Sequence, residues 1–418
     1  MVAIIMTDII FESIYLLSVA IIWLMLVYQV ILTFGGYLYS RRKNKASIMA
    51  PGFKDWPLVS VIIPARNEEK VIAETVSCLF RLDYPADKIE VIIINDGSTD
   101  RTREILESIN DSRLKVINIP LAESGQGKSR VLNIALERTS GEIIAVYDAD
   151  NRPETASLKI LVRELVTKKD IVAAIGKFRT INKDKNLLTR FINIESLTFQ
   201  WIIQAGRSFF FNIAILPGTN FVIWKKSVQA VGGWDEKALT EDAELSLRLY
   251  RAGGKICFVP EAITREQEPE KVKVWLRQRE RWVRGNNYVL TRVLAEFKAF
   301  KNKAIGTEFL LFFVMYYVFF LAMISSDIFF ILGLLNLVHI RIQGPFLEVW
   351  IAAYMLFVSE IVLMLSRESN EDSVTNIFYV ILMYFTYCQL WLVVVISAFI
   401  KDFIKKEKAL WYKTERSG

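Results

Sequence analysis

Residues 89–100 read IEVIIINDGSTD. The run is apolar and β-branched on consecutive positions, then breaks at once into Asn, Asp, Gly, Ser and Thr. A strand that is apolar on both faces belongs to a sheet covered on both sides, which is the habit of parallel sheets. Working outward, VSVIIPARNEE (59–69) precedes it, and LKVINIP (114–120) and EIIAVYDAD (142–150) follow. Helical stretches separate them, one containing Val71, Thr75 and Leu79, one through Thr102–Ser108 and one around Ser129–Arg138. This alternation predicts a three-layer α/β domain on a Rossmann-like, mostly parallel sheet. In such sheets ligands bind beyond the carboxyl ends of the strands. Polar residues stand at those ends: Asn67 and Glu68, then Asp96, then Asp148 and Asp150.

Apolar runs flank this core. Residues 13–36 are long enough to cross a bilayer, and further runs cover 309–324, 328–340, 346–365 and 375–400. The net charge of +7 gathers beside these runs, at Arg41, Arg42, Lys43 and Lys45 and again at Lys401, Lys405, Lys406 and Lys408. That is the positive-inside pattern, and no basic groove with interleaved aromatics points to a nucleic-acid partner. Three scattered cysteines carry neither disulfide nor zinc spacing, as in a reducing compartment. The single His339 excludes a histidine pair or triad and suits an interfacial role.

These features divide the chain into an N-terminal span with a basic linker (1–45), a cytosolic catalytic domain (55–265), interface helices (266–306), three or four C-terminal spans (307–400) and a basic cytosolic tail (401–418). Ser325, Ser326 and Asp327 separate the first two C-terminal runs, and the acidic loop SRESNEDS (366–373) suits the outer side. With the domain and the tail both cytosolic, five spans in all are favoured over four. The intramembrane Glu360 is then a candidate lining group for a product path. Residues 185–204 and 270–292 mix Trp and Phe with Arg at helical spacing, as do helices lying in a membrane interface.

The chemistry concentrates in a few motifs. Asp148-Ala149-Asp150 closes a buried strand, where two carboxylates can hold a divalent cation and leave room for a diphosphate. Thr240-Glu241-Asp242 opens a helix after the glycine turn 232–235. It reads as an N-cap with acidic first-turn residues, or as the place of a general base. Lys128, in SGQGKSRVLN, precedes a helix and suits a phosphate or base contact. Gln278, Arg281 and Trp282 share one helix face, offering a cation for phosphate oxygens and an indole for a sugar ring.

In order, PARNE (64–68), NDGS (95–98), GKSRVLN (127–133), DAD (148–150), PGTN (217–220), GGWD (232–235), TED (240–242) and QRERW (278–282) resemble the family 2 glycosyltransferases of GT-A fold. Within that family the layout is similar to processive membrane polysaccharide synthases, those of poly-N-acetylglucosamine, cellulose and hyaluronan among them. The resemblance implies an inverting polymerase on the plasma membrane that builds a β-linked exopolysaccharide from UDP-N-acetylglucosamine or UDP-glucose and passes it across the bilayer. It assigns Pro64, Asn67, Glu68, Asp96, Lys128, Asp148, Gln278 and Arg281 to the nucleotide sugar. Asp150 with Asp148 would hold Mg or Mn, Asp242 would be the catalytic base, and Glu241 and Trp282 would meet the acceptor. The implied partners are the UDP-sugar, the growing polysaccharide, the lipid bilayer, and an accessory membrane subunit or a second copy. The family's usual paired aspartates read Asn95-Asp96 here, leaving one carboxylate. Two alternatives stand beside this reading: a non-processive enzyme adding one sugar to a lipid, and an inactive transport or scaffold protein.

Overall fold

The computed structural model describes residues 2–46, 55–300, 303–335 and 346–407. His339, Lys408 and the rest of the tail lie outside them. The chain runs α1 (Val2–Ala46), β1 (Val59–Ala65), α2 (Ile72–Phe80), β2 (Ile89–Asp96), α3 (Thr102–Glu107), β3 (Leu114–Ile119), α4 (Lys128–Glu137), β4 (Ile143–Val146), β5 (Arg152–Pro153), α5 (Ser157–Thr167) and β6 (Ala173–Thr180). It continues with α6 (Leu187–Thr198), a π-helical turn (Phe199–Ala205), α7 (Gly206–Phe211), β7 (Phe221–Trp224), α8 (Lys225–Ala230), α9 (Glu241–Arg251), β8 (Ile256–Glu266) and α10 (Val272–Glu296). The apolar C-terminal helices are α11 (Lys303–Leu334), α12 (Phe346–Leu365), α13 (Val374–Phe385) and α14 (Tyr387–Phe399).

The eight strands form one mixed sheet in the order β3-β2-β1-β4-β7-β6-β8-β5. β3, β2, β1 and β4 are parallel neighbours, as are β6 and β8, whereas β7 and β5 run antiparallel to theirs. All eight residues of β2 are buried, which is why that strand reads as continuous apolar sequence. Each fully buried Val or Ile contributes about 1.5–3 kcal/mol, so two apolar cores sandwich the sheet. β1, β2 and β4 end together on one edge. The polar loops that follow them are gathered there by topology alone.

A third core joins the domain to the apolar helices. Phe191, Ile194 and Leu197 of α6 and Trp275 and Val283 of α10 pack against Phe320, Ile361, Val380 and Val394. Both amphipathic stretches therefore bury their apolar faces on neighbouring helices. Ile10–Arg42, Glu348–Leu365 and Val374–Ile404 are each long and apolar enough to span a membrane.

Two expectations change here. Ser325, Ser326 and Asp327 do not break a span: α11 runs through them as one helix of 32 residues, because an isolated polar triplet keeps its backbone bonds inside a helix at little cost. The described part of the 328–340 run thus belongs to the same helix as 309–324 and is not a separate span. The loop SRESNEDS also lies on the catalytic domain's side, not opposite it. Glu368 is ion-paired with Lys177 and Arg179, and Glu371 with Lys183. Its carboxylates are neutralised by basic residues at the end of β6 instead of by water. Lys401 and Asp402, just after α14, also meet the domain side, at Glu280 and Arg284 of α10. Glu360 is buried within α12, and its Oε1 has no hydrogen-bond partner among the described residues.

Candidate active site

Lys128 begins α4 and lies between three polar loops. Its Nζ is 2.7 Å from Asp148 Oδ1 and 3.2 Å from Glu241 Oε1, and it donates to the Gly218 carbonyl at 2.9 Å. Burial opposes its charge, but Asp148 and Glu241 outweigh that and hold the ammonium above its usual range. Gly218 has φ +79°, a conformation glycine adopts without strain, and a Cβ there would stand 3.1 Å from Asp242 Oδ2. Lys128, Asp148, Gly218, Glu241 and Asp242 therefore form one constellation drawn from four separate motifs.

Asp242 lies in the first turn of α9. Its Oδ1 accepts from the Ala243 N–H at 2.8 Å. Burial first, and then the charge of Glu241, raise its carboxyl to about 7, against a smaller lowering by that N–H and Lys128. A carboxylate that titrates near neutrality is suited to taking a proton from a hydroxyl.

The DAD turn is held from below. The Asp148 N–H donates to Asn151 Oδ1 at 3.0 Å and to Thr219 Oγ1 at 3.1 Å, and Thr219 Oγ1 donates to Asn151 Oδ1. Asp150 is buried, and its Oδ2 accepts from the Gln267 N–H at 3.3 Å. Among the described residues no group of three or more His, Cys, Asp or Glu is placed to hold a metal ion. Two aspartates one residue apart still supply hard oxygen ligands. Such a pair fits a cation that completes its shell with substrate phosphates, as Mg commonly does.

The nucleoside-side residues lie on neighbouring loops. Asp96 Oδ1 and Oδ2 accept from the Gly125 N–H at 3.2 and 3.1 Å, with Arg66 at 3.8 Å, and burial pushes its carboxyl up. Asn67 has φ +55°, and its Oδ1 accepts from the Thr99 N–H at 2.7 Å. The Glu68 N–H donates to Thr102 Oγ1 at 2.7 Å. Asn67 and Glu68 thus tie the loop after β1 to the loop after β2. Pro64 sits in β1 opposite Ile94, upstream of both loops.

QRERW divides between two surroundings. Arg281 Nη1 donates to the Leu239 carbonyl at 3.2 Å, which brings α10 against the TED loop. Gln278 is buried and its Oε1 accepts from Arg279 at 3.3 Å. Trp282 is 36% exposed, and its ring carries the Arg279 guanidinium at 3.9 Å from the centroid. Gly285 makes the helix contact possible, since a Cβ there would meet Thr240 Cγ2 at 2.4 Å.

Sequence reasoning left Gly285, Asn151, Thr219 and Arg279 without roles. The signal for Gly285 was available, because a glycine inside a long helix asks for a close approach. Asn151 and Thr219 carry no such signal, since their bonds are made across the fold.

Residues 57–285 match the family model described as "Glycosyltransferase like family 2". The chain belongs to that family. It is 43% identical over 411 residues to a probable glycosyltransferase, YdaM, of Bacillus subtilis (strain 168), covering 97% of this chain and 98% of the relative. It is 34% identical over 233 residues to the beta-monoglucosyldiacylglycerol synthase of Nostoc sp. (strain PCC 7120), covering 55% of this chain and 49% of that one. Over 260 residues it is 28% identical to the poly-beta-1,6-N-acetyl-D-glucosamine synthase of Staphylococcus epidermidis (strain RP62A), covering 61% of each. This family 2 glycosyltransferase has the GT-A fold, and its matched segment contains every motif from PARNE to QRERW.

Proposed function

We propose that this glycosyltransferase polymerises a UDP-sugar, UDP-N-acetylglucosamine or UDP-glucose, into a β-linked exopolysaccharide at the cytosolic face of the plasma membrane. The observation that carries the reading is Asp242, a carboxylate raised to about 7 beside the Lys128–Asp148–Glu241 cluster. In this mechanism Asp242 takes the proton of the acceptor hydroxyl as that oxygen attacks the anomeric carbon, displacing the nucleoside diphosphate with inversion. An α-linked donor gives a β-linked product. Lys128 and Arg281 supply fixed positive charge to the departing diphosphate, and Gln278 borders it. Asp96, with Asn67 and Glu68 shaping its loop, faces the nucleoside. A divalent cation, held by Asp150 and Asp148, would neutralise charge on the diphosphate when bound. Glu241 and Trp282 border the acceptor, and α11 to α14 offer the polymer a route outward past Glu360.

A second reading, transfer of one sugar to a lipid, is favoured by the similarity to the monoglucosyldiacylglycerol synthase and by the packing of α6 and α10 on apolar helices. Purified protein given a panel of UDP-sugars with Mg or Mn, with and without diacylglycerol micelles, separates the two. High-mass product without added lipid supports the polymerase. A glycolipid alone supports the second reading, and no UDP release from any donor contradicts both.

A further inference from the structure

Gln278, Arg281 and Trp282 have roles in the proposed chemistry, and Arg279 between them has none. It is 2% exposed. No substrate reaches a side chain so enclosed, so anything Arg279 does for the reaction it does through a neighbour.

Its guanidinium is anchored from behind. Nη2 donates to Glu195 Oε2 of α6 at 2.7 Å. That carboxylate is itself held from α14, accepting from the Tyr387 hydroxyl at 2.8 Å and from the Trp391 indole N–H at 2.7 Å. The Tyr387 hydroxyl in turn accepts from the Trp275 indole N–H at 2.9 Å. The Trp275 and Trp391 rings meet edge to face, each with its centroid 5.8 Å from the guanidinium carbon. A planar cation bonded to a fixed carboxylate and walled by two indoles has little freedom to turn.

The third indole is that of Trp282. Its centroid is only 3.9 Å from the Arg279 guanidinium carbon, and the residue keeps 36% of its surface exposed. An exposed indole on a helix samples several staggered orientations. A guanidinium stacked on one face of the ring selects among them. Trp282 also stands on the side of α10 that meets the TED loop, because 278, 281, 282 and 285 share a face. Arg281 reaches the Leu239 carbonyl there, and a Cβ on Gly285 would meet Thr240, two residues before Asp242.

We propose that Arg279 is a positioning residue: anchored to α6 and α14 through Glu195, it fixes the plane of the Trp282 indole for the acceptor. The proposal rests on the assignment of Trp282 to the acceptor. A rival route exists on the same side chain, since Arg279 Nη1 donates to Gln278 Oε1 at 3.3 Å. Action through Gln278, which borders the diphosphate, would be read in the donor KM instead.

The test uses full-length protein in detergent labelled with 5-fluorotryptophan, the Trp282 fluorine resonance being identified by its loss in Trp282→Phe. Transfer of labelled sugar from UDP-N-acetylglucosamine or UDP-glucose is followed beside UDP release, with Mg or Mn and with diacylglycerol micelles present so that polymer or glycolipid can form. Arg279→Lys keeps the charge facing Glu195 and loses the planar stack. Its expected result is a shifted or split Trp282 resonance and transfer lowered about fivefold or more, with donor KM and donor hydrolysis within about twofold of wild type. In a Trp282→Ala background the same change lowers transfer by less than about twofold, as for residues that act through one another. Glu195→Gln/Arg279→Met removes the buried pair as a unit, leaves no uncompensated charge, and should show the same loss of transfer if Arg279→Lys does not fold. The proposal is overturned by an unchanged resonance, by wild-type transfer in a folded variant, by a donor KM that rises in step with the loss, or by a full additional loss in the Trp282→Ala background. Wild-type transfer by Trp282→Ala contradicts the acceptor assignment, and the proposal falls with it. Absence of turnover with every donor contradicts the glycosyltransfer reading itself, and the resonance then still decides whether Arg279 holds the ring.

Discussion

Lys128 Nζ and Asp148 Oδ1 are 2.7 Å apart, so the first carboxylate of the DAD turn already holds a cation of the protein's own. A divalent cation held by Asp148 and Asp150 would compete with that ammonium for Asp148. Lys128→Met should therefore lower the cation concentration needed for half-maximal turnover, while raising the donor KM at least tenfold through loss of a phosphate contact. Titrations of Mn and of UDP-sugar against UDP release measure both. An unchanged metal requirement would remove Lys128 from this competition.

As the proposed base, Asp242 should set the pH profile. A base works deprotonated, so with its carboxyl raised to about 7 by burial and by Glu241, kcat/KM should fall below about pH 7 with unit slope. A profile flat to pH 5.5 would show that another group limits the reaction.

The same shift has a consequence for stability. The folded-state value lies above the unfolded value of about 3.9, so the native state binds the extra proton. Stability from this group is present at low pH and is lost as pH rises from about 4 through 7. Asp242→Asn removes that penalty and should melt a few degrees above wild type at pH 8, with the gap closing at pH 4. Thermal melts of both proteins across this range check the sign.

Gly285 lets α10 touch the TED loop. Gly285→Ala gains roughly 1 kcal/mol of helix propensity, yet its methyl must displace Thr240. The expected result is a folded protein with kcat reduced at least tenfold, read by steady-state kinetics beside a melting curve.

Arg279 is 2% exposed and bonds Glu195 Oε2 at 2.7 Å, with Tyr387 and Trp391 also donating to Glu195. Removing one partner of a buried pair leaves an uncompensated charge, at a cost of about 3–5 kcal/mol. Glu195→Ala should thus loosen α6, α10 and α14 together, seen as a large drop in melting temperature in detergent. A variant as stable as wild type would mean that the three helices are held by apolar packing alone.

Much of this architecture was legible in the sequence because burial and periodicity are local signals. β1 to β4 announce themselves as apolar runs ending in polar loops, and the DAD and TED motifs lie where the strands and helices put them. β5, β6, β7 and β8 were not read, since β5 has two residues and the ladders of β7 reverse direction, features set by pairing rather than by pattern. Lys128 was picked out as a phosphate contact, but its bridge between Asp148 and Glu241 joins residues distant in sequence. The side on which SRESNEDS lies was misread for a related reason. Its acidity suggested water, and only the fold brings Lys177, Arg179 and Lys183 to meet it.

In the proposed mechanism Asp242 is the base of an inverting sugar transfer. Its most direct test is Asp242→Asn, assayed for labelled UDP-sugar binding and for product in the same preparation. Donor binding should stay within about threefold of wild type while transfer falls at least about a thousandfold. Near-normal transfer by this variant would contradict it.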